Sequence, residues 1–147
     1  MARDTPRFTG RVELTLDEKG RIVVPARFRE RLGAGFILTI APPDACLALY
    51  PTKTWEAFCE RLDAAPLKDE RYRRFVRHLF AHTEEAACDP QGRLLIPPAL
   101  RAYGAIEREA VAIGSLSRIE IWAKDRLGAL QPSGDEAGAL ATELGLY

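Results

Sequence analysis

The sequence predicts an α+β fold, rich in β-strand, built from two copies of one small module with helices between them. Three observations carry that prediction. They are an internal repeat at fixed spacing, short apolar runs with the two-residue period of strands, and two runs of helical period between the copies. Placing residues 17–29 over 89–101, an offset of 72, makes five positions identical: Asp17/Asp89, Gly20/Gly92, Arg21/Arg93, Pro25/Pro97 and Arg29/Arg101. The apolar triplet Ile22, Val23, Val24 falls on Leu94, Leu95, Ile96. The same offset brings residues 46–50 onto 118–122, two strand-like runs that end in Tyr50 and Trp122. An offset of 72 is longer than solenoid repeats, so two modules are expected rather than an array.

The elements follow in chain order. Val12, Leu14 and Leu16 alternate with polar residues, as in a half-buried strand. Residues 17–20 make a turn, because Asp17 can bond the backbone that follows it and Gly20 tolerates positive φ. Residues 21–24 return as a strand, and Pro25, lacking an N–H, ends the ladder. Pro25 also opens a short helix over 26–32, closed by Gly33. Strands are expected over 36–41 and 46–50, around the turn signal Pro42, Pro43, Asp44. The second copy repeats the plan through 86–89, 93–96, 98–103, 110–113 and 118–122.

Between the copies, Trp55, Phe58, Cys59 and Leu62 trace one helical face, with Thr52 or Thr54 as N-cap. Tyr72, Phe75, Val76, Leu79 and Phe80 trace another from an N-cap at Asp69, and Pro66 separates the two helices. The tail from Gly128 is rich in Gly and Ala and can form a short helix over 136–144. The organisation expected is module 1 over 8–54, a helical connector over 55–82, module 2 over 83–126 and a tail over 127–147.

Composition narrows the function classes. The 147 residues carry 21 Lys+Arg and 21 Asp+Glu, a formal net charge of zero, which excludes a non-specific basic coat. The charge is unevenly placed: residues 1–31 and 68–77 each carry a net +3, and residues 128–147 a net −3. Of the 21 cations, 17 are Arg, whose five-donor fork suits phosphates and guanine edges. No run reaches the roughly 18 apolar residues of a membrane span, and no apolar h-region opens the chain. Cys46, Cys59 and Cys88 are unpaired in any Cys-x-x-Cys spacing, which fits a reducing cytoplasm and argues against a zinc knuckle.

The repeated turn carries the chemistry. Asp17-x-x-Gly20-Arg21 is expected to present Lys19 and Arg21 outward while Asp17 and Gly20 hold the loop. In the second copy Asp89 and Gly92 do the holding, Arg93 is the cation, and Gln91 replaces Lys19. Two such loops form a pseudo-twofold surface able to grip a duplex, whose major groove admits a two-stranded ribbon. On spacing alone, local surface ion pairs that stabilise the hairpins are the favoured account, since charged turns are common. His78 and His82 stand one helical turn apart ahead of Glu84, Glu85 and Cys88, but two ligands fall short of a metal site. The cations at 68–77 read as the solvated face of a helix. No phosphate loop or nucleophile motif is present. A carboxylate dyad of Asp17 and Asp89 is disfavoured, because an Arg four residues on would keep each one ionised.

Taken together, Asp17-x-Lys19-Gly20-Arg21 with the apolar run through Pro25, Leu47-x-Leu49-Tyr50-Pro51, Asp89-x-x-Gly92-Arg93 and Ile119-Glu120-Ile121-Trp122 resemble the MraZ family of AbrB-like (SpoVT-AbrB) transcription factors. The resemblance spans roughly residues 8–126. It implies a double-split β-barrel of tandem swapped-hairpin modules. It also implies a cytoplasmic, nucleoid-associated regulator of division and cell-wall genes that binds direct repeats upstream of its own operon as a ring-shaped homo-oligomer. The partners implied are double-stranded DNA and further copies of the chain, with no cofactor, metal, membrane or small-molecule substrate. Arg21, Lys19, Arg93 and Arg11 are then the DNA contacts, and Asp17, Gly20, Asp89 and Gly92 the structural residues of the motif. Arg11 follows a Thr9 that stands where the family commonly has Arg, and Pro90 and Gln91 depart from the first loop. A related alternative is an AbrB-like antitoxin or protein-interaction module, which usually has one module and a disordered toxin-binding tail.

Overall fold

The computed structural model describes residues 6–147. Arg3 and Asp4, counted above in the cationic N-terminal stretch, lie outside the described residues. The first copy contains β1 (Arg11–Thr15), β2 (Arg21–Val23), α1 (Ala26–Leu32), β3 (Phe36–Ile40) and β4 (Leu47–Pro51). The connecting helices α2 (Thr52–Asp63) and α3 (Glu70–Ala81) follow. The second copy contains β5 (Glu84–Ala86), β6 (Arg93–Leu95), α4 (Pro98–Gly104), β7 (Glu109–Ser115) and β8 (Arg118–Ala123), and the chain ends with α5 (Lys124–Gly128) and α6 (Gly134–Glu143).

The strands form an antiparallel six-stranded sheet, in the order β1-β7-β8-β4-β3-β5, and a separate antiparallel ribbon of β2 and β6. Among the described residues the sheet does not close into a barrel. The order reads the same when the copies are exchanged, with β1 answering to β5, β7 to β3 and β8 to β4. Each first strand leaves its own copy: β1 pairs with β7, and β5 pairs with β3. The central pair β4–β8 and the ribbon β2–β6 join one copy to the other, centred on Ala48 opposite Glu120 and Ile22 opposite Leu94. The pseudo-twofold axis therefore passes through both pairs.

Register refines the repeat. Leu14 faces Ala110 in one copy, and Ala86 faces Phe36 in the other. Phe36 thus answers to Ala110, two positions beyond the common offset. The two residues gained before β7 are lost again in the tight β7–β8 turn at Leu116 and Ser117, where the first copy has the longer turn of residues 41–46. The offset of 72 returns at β4 and β8 because these changes cancel.

One core serves both copies. It runs through Leu38, Ile40, Leu47 and Leu49 of the first and Ile96, Val111, Ile119 and Ile121 of the second, all essentially inaccessible to solvent. β3 and β4 are buried along their whole length, as expected of central strands covered on both faces. At the edge of this core, Trp55 stacks on Phe58 at 5.0 Å and lies 5.4 Å from Tyr50, which fastens α2 to β4.

Three local expectations are corrected. Neither Thr52 nor Thr54 caps α2: the N-cap is Pro51 without a side-chain bond, Thr52 Oγ1 donates to Gly35 O at 3.3 Å, and Thr54 Oγ1 is buried without a partner. Proline at the boundary leaves no hydroxyl to cap with. The fifth strand covers 84–86 rather than 86–89, because its partner β3 begins at Phe36, opposite Ala86, and offers residues 87–89 nothing to pair with. On α3 only Leu79 is buried, and Phe75 remains 39% exposed rather than packed inward. Asp69 does cap that helix, accepting from the Tyr72 N–H at 3.0 Å.

Candidate nucleic-acid interface

The two repeated turns fold alike. Asp17 Oδ1 accepts the Lys19 and Arg21 N–H groups, both at 2.9 Å, and Oδ2 accepts Arg21 Nε at 2.8 Å. Asp89 does the same with Gln91 N–H at 3.0 Å, Arg93 N–H at 2.8 Å and Arg93 Nε at 2.7 Å. The glycine N–H of each tip then returns to the aspartate carbonyl, Gly20 to Asp17 at 3.0 Å and Gly92 to Asp89 at 2.8 Å. The four-residue spacing is thus the span one carboxylate needs to satisfy a turn and clamp a guanidinium. Positive φ at Gly20 (81°) and Gly92 (79°) closes each turn, as the sequence predicts.

These bonds decide the chemistry at the tips. The N–H of Arg21 is the main influence holding the Asp17 carboxyl below its usual range, and that of Arg93 does the same for Asp89. Both stay ionised, so a proton-sharing carboxylate pair is not available. Arg21 and Arg93 are anchored to their aspartates through Nε rather than Nη. Gln91 Oε1 also accepts from Arg93 Nη2 at 3.3 Å, whereas Arg21 bears no such second tie among the described residues. Lys19 is exposed at the first tip.

Arg29 and Arg101, identical in the repeat but given no role from spacing, each tie one copy to the other copy's turn. Arg29 Nη1 donates to Val24 O at 3.0 Å and its guanidinium lies beneath Gly92, in the other copy's turn. Arg101 Nε donates to Ile96 O at 3.0 Å beneath Gly20. The glycine carbonyls complete the exchange, Gly20 O accepting from Ile96 N–H and Gly92 O from Val24 N–H, both at 2.9 Å. The turns are therefore held rigidly, one at each end of the β2–β6 ribbon. The signal was the identity of Arg29 and Arg101, but the partner of each lies in the other copy, which spacing within one copy does not reveal.

Arg11 is not part of this cluster. It opens β1, six extended residues or about 20 Å before Asp17. Several other cations are held elsewhere. Arg118 is half-buried and bonds Glu120 Oε2 and the Tyr50 hydroxyl, at 2.6 and 2.8 Å. Arg71 and Arg74 pair with Asp69 and Glu70 on the exposed face of α3. His82 Nδ1 donates to His78 O at 2.8 Å, the two rings lie 4.9 Å apart, and among the described residues no third ligand completes a metal cluster. Burial raises the thiols, Cys46 to about 12, so none is a ready nucleophile. Among the described residues no helix is long and apolar enough to cross a membrane.

Known proteins share this arrangement of sequence. The family described as "MraZ protein, putative antitoxin-like" matches twice, over residues 7–78 and 79–133. A protein of Pelotomaculum thermopropionicum named Transcriptional regulator MraZ is 48% identical over 119 residues, which cover 81% of each chain. Its namesake in Clostridium acetobutylicum is 40% identical over 142 residues, covering 95% of this chain and 99% of that one. Another, in Thermomicrobium roseum, is 41% identical over 122 residues, covering 83% and 85%.

Proposed function

Because the chain belongs to the MraZ family of transcriptional regulators, we propose that it binds direct repeats in the DNA upstream of its own operon and so controls division and cell-wall genes. One observation carries the reading: both repeated turns anchor an arginine through Nε on a single two-stranded ribbon, with both Nη groups of Arg21 and Nη1 of Arg93 left to meet a ligand. A ribbon of this width enters the major groove, where an arginine reads guanine in bidentate fashion. Arg21, helped by Lys19, makes the principal contact. Arg93 contributes less because Gln91 occupies part of its fork. Arg11, at the far end of β1, contacts phosphate outside the groove.

One ribbon supplies few contacts, so affinity comes from several copies meeting several repeats, each later contact being effectively intramolecular. The oligomer is a ring that resides on the nucleoid. The half-exposed Phe75 and Phe80 of α3 offer apolar surface for its contacts. We take residues 8–54 and 83–126 as the two swapped-hairpin modules of a double-split barrel, with the connector at 55–82 and the tail at 127–147. The antitoxin alternative is disfavoured because this chain devotes its length to two modules rather than to one module and a toxin-binding tail. Mobility-shift titration of Arg21→Ala with the protein's own upstream DNA tests the proposal. Weaker binding and relaxed discrimination at one guanine are expected; unchanged affinity and specificity would sink the assignment.

A further inference from the structure

We propose that Val23 and Leu95 read thymine methyl groups, so that the ribbon recognises thymine beside guanine rather than guanine alone. The inference rests on the DNA-binding reading above and adds to it the residues that select a second base. On β2 the order is Arg21 half-buried, Ile22 buried and Val23 exposed; on β6 it is Arg93, Leu94 and Leu95 in the same sequence of exposure. Ile22 and Leu94 fill the core, so the opposite face of the ribbon presents the other four side chains. Register sets Arg21 directly opposite Leu95 and Val23 directly opposite Arg93. The face is therefore a pseudo-twofold square in which each cation has an aliphatic neighbour across the strand and another two residues along.

The aliphatic pair is the more exposed part of this square. Val23 is 53% and Leu95 55% exposed, against 24% and 34% for the side chains of Arg21 and Arg93. Large apolar groups held out in water at a rigid site mark a surface that becomes covered. Charge indicates by what. The two arginines lie on a diagonal of the ribbon, roughly 7–8 Å apart, about two base-pair rises of 3.4 Å. A second copy of the same face would bring four guanidinium groups together, which disfavours self-association here. The floor of the major groove offers what the square lacks: guanine acceptors for the Nη groups, and the thymine C5-methyl as the one apolar group on a base edge.

The test compares two probes, the duplex upstream of the protein's own coding sequence amplified with dTTP or with dUTP. Uracil pairs as thymine does and lacks only the methyl group. Wild-type protein should bind the uracil duplex about fourfold more weakly for each methyl it contacts, the factor equivalent to about 0.8 kcal/mol per buried methyl. The Val23→Ser, Leu95→Ser variant should bind the thymine duplex more weakly and treat the two duplexes alike. Its melting temperature and solution mass should match those of wild type, since both residues are exposed. A variant that keeps the wild-type preference for thymine overturns the inference while leaving DNA binding intact. A changed solution mass with that preference retained assigns the face to self-association instead. Failure of wild-type protein to bind either duplex overturns the DNA-binding reading, and this inference with it.

Discussion

At the scale of single residues, the five identities of the repeat resolve into one interlocked device. Aspartate satisfies the turn and clamps its arginine, glycine permits the turn, and proline ends the strand. The last arginine reaches beneath the opposite turn. A Cβ on Gly92 would lie 2.7 Å from the Arg29 Cζ, and one on Gly20 would lie 3.0 Å from Arg101 Cζ. Gly20→Ala should destabilise the protein by more than about 1 kcal/mol in denaturant titration, because φ is positive there. Gly92→Ala should cost more, since Arg29 must also move. Combining it with Arg29→Ala should show coupling of about 0.5–3 kcal/mol, whereas strict additivity would contradict the packing described. The aspartates add a pH dependence of defined sign. Each has its folded pKa lowered below the ordinary 3.8, so its contribution is complete above that value and fades as pH falls through the lowered one. The urea midpoint of wild type should therefore carry an acid-side slope below about pH 4 that Asp17→Asn, Asp89→Asn reduces.

At the scale of elements, exchange of strands between copies governs what can fold alone. β1 finds its partner in β7, β2 in β6 and β5 in β3, so each half of the chain leaves strands unpaired without the other. Halves divided between α2 and α3 should each fail to give a folded monomer, and mixing them should restore one cooperative transition by circular dichroism. A half that melts cooperatively as a monomer would refute this dependence. The exchange also marks where sequence reading stops. Asp17, Gly20, Pro25 and Gly33 act through their own neighbours, so the turn, strand end and helix C-cap were legible from local chemistry. The cap of α2 was misread because a Thr in the right place is no cap once Pro51 takes the boundary. That Arg29 serves Gly92, and that β1 lies against β7, depends on contacts 63 and 94–102 residues apart, which periodicity cannot encode. For the candidate site, the Asp–Arg pairs were legible in the four-residue spacing, whereas the exposure of Val23 was hidden in a run that read as uniformly apolar.

At the scale of the whole molecule, the zero net charge separates into a cationic body and an anionic tail. Residues 128–147 contain Asp135, Glu136 and Glu143 and no Lys or Arg, so the remainder carries +3. The helix α6 within that tail starts from a Ser133 cap, which accepts from the Glu136 N–H at 3.1 Å, and buries no residue. Its acidic first turn suits the helix dipole, and its formation owes nothing visible to the core. Truncation after Leu130 should therefore leave the melting temperature within about 1 °C of wild type, as expected for a change below roughly 0.2 kcal/mol. The same truncation removes three negative charges from a protein proposed to approach a polyanion. Association with DNA should quicken, most at low salt, where screening by ions is weakest. The gain should shrink towards nothing as ionic strength rises. A fall in melting temperature would instead mean that the tail is docked, and an equal gain at every salt concentration would mean that it acts by occupying the ribbon rather than by its charge.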